Sequence, residues 1–138
     1  MDHVVILNKK FKALQNILAG NKTIESRWLK NRSAPYNKVK PKDILYFKES
    51  SKPLTHKARV TKVHYFDLHH TSPQYIIDKY NTKICLQDTN WKNREKRYCV
   101  LIEFDSVKKI QPFYIDKTGF GNAAAWLVVK DITKIIIH

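Results

Sequence analysis

Gly20-Asn21-Lys22-Thr23-Ile24-Glu25-Ser26-Arg27 follows an amphipathic segment and places one carboxylate between two cations. If the stretch is extended, Lys22, Ile24 and Ser26 face one way and Thr23, Glu25 and Arg27 the other. Glu25 and Arg27, two apart on one face, then pair across the mouth of a cleft, and Lys22 swings in from the loop. A carboxylate beside two cations stays ionised and fixes their positions. Such a cluster can hold a phosphate with Lys22 and Arg27 while Glu25 accepts from a base amino group. It can equally be an ion pair that does no more than close a barrel.

Working outward, Val4–Leu7 reads as a short buried strand and Lys9–Ala19 as a helix. Phe11, Leu14, Ile17 and Leu18 form the apolar face of that helix, and Gly20 stops it. Lys30–Lys42 carries five cations and no acid, with Pro35 and Pro41 breaking any helix. Asp43–Phe47 and Ala58–Tyr65 have strand composition. Ser72-Pro73 predicts an N-cap with proline at the first helical position, opening a helix over Pro73–Tyr80. In Arg97–Asp105, Tyr98, Val100, Ile102 and Phe104 share one face of a strand, and Cys99, Leu101, Glu103 and Asp105 the other. Further strands are expected near Ile110–Phe113, Trp126–Val129 and Ile132–Ile137. Many short strands with few helices point to an α+β chain, a compact mixed β-barrel with two or more short helices, and not to a helix bundle. The 138 residues fit one domain.

Charge narrows the function. Lys plus Arg number 26 against 12 acids, a net charge of +14. A chain that tolerates this self-repulsion usually meets a polyanion. RNA is the leading partner, DNA the second nucleic acid, and an anionic membrane surface a weaker competitor; a basic adaptor for another protein is a further class. The cations are mostly lysines, which act as point charges toward phosphate, whereas the five arginines offer a planar fork. Aromatic rings among the cations, Trp28, Tyr36 and Trp91, are candidates for base stacking, while Trp126 reads as a core residue. Cys85 and Cys99 form no CxxC pair, and the first residues lack the pattern of a secretory leader. No apolar run is long enough to span a bilayer. The expectation is a cytoplasmic protein with reduced thiols that does not engage membranes.

The pattern G-x-K-x-x-E-x-R, filled by Gly20, Lys22, Glu25 and Arg27, lies between an amphipathic helix and Pro41-Lys42-Asp43 with its strand. That arrangement resembles the ASCH domain family, whose fold is a PUA-like β-barrel. The resemblance runs from Val4 to about Val107, and residues 108–138 read as further strands of a single domain. It implies an RNA ligand, or modified nucleotides, in a basic cleft beside the motif. Some members are amidohydrolases that remove an acyl group from a modified cytidine with a lysine, a threonine and a glutamate; others look like ribonucleases. Carried over by position, the lysine is Lys22, but Glu25 stands where the threonine would be. Leu68, His69 and His70 occupy the place of the remaining carboxylate. The deacylase pattern is therefore not reproduced. A hydrolase acting on RNA or a modified nucleoside stays the alternative, with Lys22 and Glu25 as its catalytic pair and His69 or His70 as a further acid or base.

The expected nucleic-acid contacts are Lys22, Glu25, Ser26, Arg27, Trp28, Lys30, Arg32, Tyr36, Lys38, Lys40, Trp91 and Arg94. No cofactor is expected. His56, His64, His69 and His70 have no metal-ligand spacing, and Gly119-Phe120-Gly121 lacks the βαβ unit and downstream acid of a dinucleotide fingerprint.

Overall fold

The computed structural model describes residues 1–86, 95–121 and 124–138. Its elements are β1 (Asp2–Leu7), a 3₁₀ turn (Lys9–Phe11), α1 (Ala13–Leu18), β2 (Ile24–Leu29), β3 (Ile44–Glu49), β4 (Leu54–Asp67), α2 (Pro73–Ile84), β5 (Tyr98–Ile115), β6 (Trp126–Val129), a second 3₁₀ turn (Ile132–Ile135) and β7 (Ile136–Ile137). One mixed sheet runs β2-β5-β4-β3-β1-β6, with β7 paired to β5. The β1–β3 pair is parallel and the other pairs are antiparallel. The sheet curls so that its two ends, β2 and β6, approach each other. The strand count led to the expectation of an α+β mixed β-barrel, and the structure has that fold as a curled half-barrel.

Alternation along β5 organises the interior. Val100, Ile102 and Phe104 face the main core, with Val5, Phe47 and Trp126 opposite. Cys99 and Leu101 point the other way, into a core that α2 covers with Ile76 and Ile84. A strand buried on both faces reads as a continuous apolar run, as Tyr98–Ile102 does. Burial also pushes the Cys99 thiol well above its usual range. Ser72 caps α2 by accepting from the Tyr75 amide, and Pro73 opens the helix as its sequence predicts.

Several boundaries differ from the sequence expectation. The helix predicted over Lys9–Ala19 is broken at Lys12, whose φ of 52° is left-handed. Asn8 instead caps a 3₁₀ turn by accepting from the Lys10 amide. The break separates Phe11 from Ala13, Leu14 and Ile17, which pack on the core, and it leaves Leu18 half exposed. The strand expected at Ile110–Phe113 is the continuation of β5. Ile132–Ile137 holds a 3₁₀ turn and only two strand residues, because Asp131 accepts from the Thr133 amide and caps the turn. Residues 108–115 and β6 belong to the same sheet as the motif.

Asp43 stays outside β3 because its carboxylate serves a buried network. Trp126 Nε1–H donates to His3 Nδ1 at 3.0 Å, and His3 Nε2 lies 2.8 Å from Asp43 Oδ2. Indole nitrogen only donates, so Nδ1 must accept and the ring proton sits on Nε2, which donates to Asp43. The Lys40 amide also donates to Oδ2. Burial lowers the His3 pKa from 6.5, with Asp43 opposing that shift only in part. Burial disfavours the Asp43 charge, yet the His3 and Lys40 hydrogen bonds outweigh it and hold the carboxyl below its ordinary value.

Unfolding frees His3 to bind a proton that the folded chain resists. The unfolded state then holds more protons below pH 6.5, and stability falls as pH drops from there toward the folded pKa. Urea midpoints measured across that window should decline for the native chain and decline less steeply for His3→Gln. An unchanged slope would remove His3 from this role.

Candidate functional site

β2 is an edge strand, and both of its faces are used. Glu25 and Arg27 pair with Ile102 and Val100 of β5 and share their inward face. Ile24, Ser26 and Trp28 pair with Glu103, Leu101 and Cys99 and lie on the face under α2. Lys22 precedes the strand, in the loop after Gly20, whose φ of +80° turns the chain.

The Lys22 side chain is almost fully buried and its ammonium donates to Ile84 O at 2.6 Å. That carbonyl ends α2, where a cation is favoured by the helix dipole and by the unpaired last carbonyls. The same ammonium is 3.7 Å from Glu25 Oε1, and Arg27 Nε is 3.8 Å from that oxygen. Both distances are ion-pair contacts, longer than hydrogen bonds. Among the described residues, the Ser26 amide supplies the one hydrogen bond to Oε1, at 3.1 Å. Glu25 Oε2 is buried and has no hydrogen-bond partner among the described residues. Glu49 Oε2 shares that condition but does not line the cavity described next.

Arg27 is committed elsewhere. Its Nη1 donates to Ala125 O at 3.2 Å and its Nη2 to Ile6 O at 3.1 Å. The guanidinium stacks 5.3 Å from the Trp126 ring centroid. These contacts join β2, at one end of the strand order, to β1 and the approach to β6 at the other. A planar fork can satisfy two carbonyls at once, which a lysine cannot.

Around this cluster lies a cavity of about 410 Å³. Lys22, Glu25, Ser26, Arg27 and Trp28 line it, together with Phe11, Ile84, Cys85 and Leu86. Asn8, Ala13, Ala125 and the end of β1 complete the wall. Trp28 is half-buried, packs against the core under α2 and donates its indole N–H to Ser26 Oγ at 3.3 Å. The lining combines apolar walls with the Glu25 carboxylate, whose buried Oε2 has no hydrogen-bond partner among the described residues.

The remaining expected contacts lie elsewhere. Tyr36 packs at ring-contact distance on Tyr65 and Tyr98, and Arg32 covers Tyr36 and Tyr98 while donating to the Tyr98 hydroxyl. Tyr36 is thus part of a packed aromatic group, because the loop folds back over β4 and β5. Lys30, Lys38 and Lys40 are exposed in that loop, and none lines the cavity. His69 and His70 are exposed on the turn before α2 and also stay out of it. Trp91 and Arg94 lie outside the described residues. Sequence reasoning missed the distant wall, Phe11, Ile84, Leu86 and Ala125. Only the apolar character of Phe11 hinted at it, and that pointed to the core. Among the described residues no group of acids, histidines and cysteines could hold a metal, and no helix is long and apolar enough to cross a membrane.

Comparison with solved structures fits this geometry. The crystal structure of the ASCH protein from Zymomonas mobilis matches with a TM-score of 0.69 and 15% identity, over 96% of this chain and 91% of that one. Two variants of that protein match at TM-scores of 0.69 and 0.67, with 14% and 13% identity, again over 96% of this chain and 91% and 93% of theirs. No family model and no curated protein matches the sequence. The chain has the PUA-like α+β fold of an ASCH domain.

Arg27 is predicted to be needed for stability whatever binds in the cavity. Arg27→Lys keeps the charge but leaves one of two carbonyls without its donor, which should cost about 1–2 kcal/mol. Urea unfolding of both chains measures this, and equal stabilities would show that the bridge between the sheet ends is immaterial.

Proposed function

We propose that this chain binds RNA, taking one base of a single-stranded or modified segment into the cavity beside β2. The observation that carries the reading is Glu25, a residue of the cavity lining whose buried Oε2 has no hydrogen-bond partner among the described residues. A base amino or ring N–H would satisfy it, and leaving such an atom unmatched costs about 1–3 kcal/mol. The cavity is within the roughly 300–1,000 Å³ common for small-molecule sites. Phe11, Trp28, Ile84 and Leu86 offer it an apolar surround. Exposed Lys9, Lys10 and Lys12 adjoin the lining residues Asn8, Phe11 and Ala13, and Lys83 adjoins Ile84. With a net charge of +14, they suit the phosphates flanking an inserted base. Arg27, whose fork is spent on backbone carbonyls, then positions Glu25 in place of gripping phosphate. A hydrolase remains the second reading, favoured by the 3.7 Å approach of Lys22 to Glu25 at the cavity wall.

Titrating a labelled single-stranded RNA and its DNA counterpart, at low and moderate salt, tests both readings. RNA-preferring affinity that weakens with salt is expected. Glu25→Gln, which turns an acceptor into a donor, should weaken binding about tenfold, or roughly 1.4 kcal/mol, with the fold intact by circular dichroism. Equal RNA affinity for the native chain and Glu25→Gln would defeat the base-in-cavity reading. Cut or altered RNA on a denaturing gel, lost in Glu25→Gln, would establish the hydrolase.

A further inference from the structure

The edge of β4 is open where β3 stops. The pairing of β3 with β4 ends at Arg59, and beyond it the Lys30–Lys42 loop, not a strand, lies beside β4. The Leu68 amide donates to Arg97 O, so in steps of two back along the β4–β5 register Phe66, His64 and Lys62 bond to β5. Val63 and Tyr65 alternate with them and turn their N–H and C=O groups toward the open edge. Among the described residues those groups make no hydrogen bond. Unpaired backbone at a sheet edge is ready to take a partner.

A hollow of about 410 Å³ lies along this edge, between Val39 and Lys40 of the loop and Lys62, Val63 and Tyr65 of the strand. Its walls are pinned. The Tyr65 hydroxyl donates to Val39 O at 2.9 Å, the Lys40 amide to Asp43 Oδ2 at 3.0 Å and the Lys42 amide to Val60 O at 2.8 Å. Tyr36 packs edge-on against the Tyr65 ring, 5.3 Å between centroids. Tyr65 is still 37% exposed, and with its hydroxyl spent it offers a ligand its ring. None of the residues lining the hollow is acidic. Lys40 and Lys62 are both exposed, and neither ammonium has an ion pair among the described residues. Glu103 stands directly across from Lys62 on β5, but its carboxylate meets His64 Nε2 instead, at 2.5 Å.

We propose that this edge is a second nucleotide site, in which a base stacks on Tyr65 and bonds the open backbone of Val63 and Tyr65 while its phosphate lies between Lys40 and Lys62. The ligand is a nucleotide, either one residue of a single RNA strand or a free mononucleotide. A rigid ring stacks on any base, main-chain groups fix the orientation of the base, and lysines act as point charges toward phosphate. The site takes its ligand class from the RNA reading above, but it does not require a base in the cavity beside β2.

Amide signals of the full nitrogen-15-labelled chain, followed during titration with uridine monophosphate and with a short oligouridylate, test this. Val63 and Tyr65 report the edge, and Ser26 and Trp28 report the cavity. Saturable movement of the Val63 and Tyr65 signals, weakened by salt, is expected. Movement with the mononucleotide assigns a free nucleotide, and movement with the strand alone assigns RNA. Tyr65→Leu should weaken binding at the edge about tenfold. Lys62→Gln, at an exposed position without an ion pair, should lower the slope of log affinity against log salt by about one. If Val63 and Tyr65 stay still while Ser26 and Trp28 move, the edge site is overturned and the cavity reading stands. The reverse pattern supports the edge site and removes the cavity reading, and signals that move at neither place overturn both. Undiminished affinity and slope in both variants also overturn the edge site.

Discussion

Glu25 sits under the seam of the half-barrel, and its carboxylate is held by charges that are each tied to a different part of the chain. Lys22 reaches from Glu25 to the last carbonyl of α2. Arg27 reaches from Glu25 to the backbones of β1 and the approach to β6. One buried acid therefore fixes the helix end, the edge strand and the opposite end of the sheet relative to each other. Removing it would leave the buried Lys22 ammonium and the half-buried Arg27 guanidinium without their shared carboxylate, a larger loss than that of a surface ion pair. The barrel-closing ion pair is present in the structure. The cations do the closing, and the acid keeps one buried oxygen without a partner among the described residues.

The scaffold around this seam is built to be rigid. β5 is buried on both faces, so its register against β2 is set twice, once by the main core and once by the core under α2. On the far side, the Trp126–His3–Asp43 chain of hydrogen bonds holds β6, β1 and the start of β3 together. A site whose supporting residues are locked by packing and hydrogen bonds can hold an acceptor atom in one place, which selective recognition of a base requires.

The sequence revealed the parts that depend on local periodicity and a contiguous motif. The alternation in Tyr98–Phe104 gave the central strand, Ser72-Pro73 gave the start of α2, and the spacing of Lys22, Glu25 and Arg27 gave the inward cluster. Long-range geometry was not legible. Nothing local marks Lys12 as a left-handed residue, because the break is decided by where Phe11 and Leu14 pack. Arg27 read as a phosphate ligand because its carbonyl partners, Ile6 and Ala125, are 21 and 98 residues away. Tyr36 and Arg32 read as an exposed basic loop, and only folding of that loop onto Tyr65 and Tyr98 turns them into packing. The partner-free Glu25 oxygen could not be inferred from composition at all.

The central claim is that the free Glu25 oxygen receives a base, and a crystal structure of the chain with a short single-stranded RNA addresses it directly. One base is expected in the cavity between Phe11 and Trp28, with an N–H of that base about 3 Å from Glu25 Oε2. RNA lying along the exposed lysines with every base outside the cavity would contradict it, and the chain would then be a binder of phosphate backbone alone.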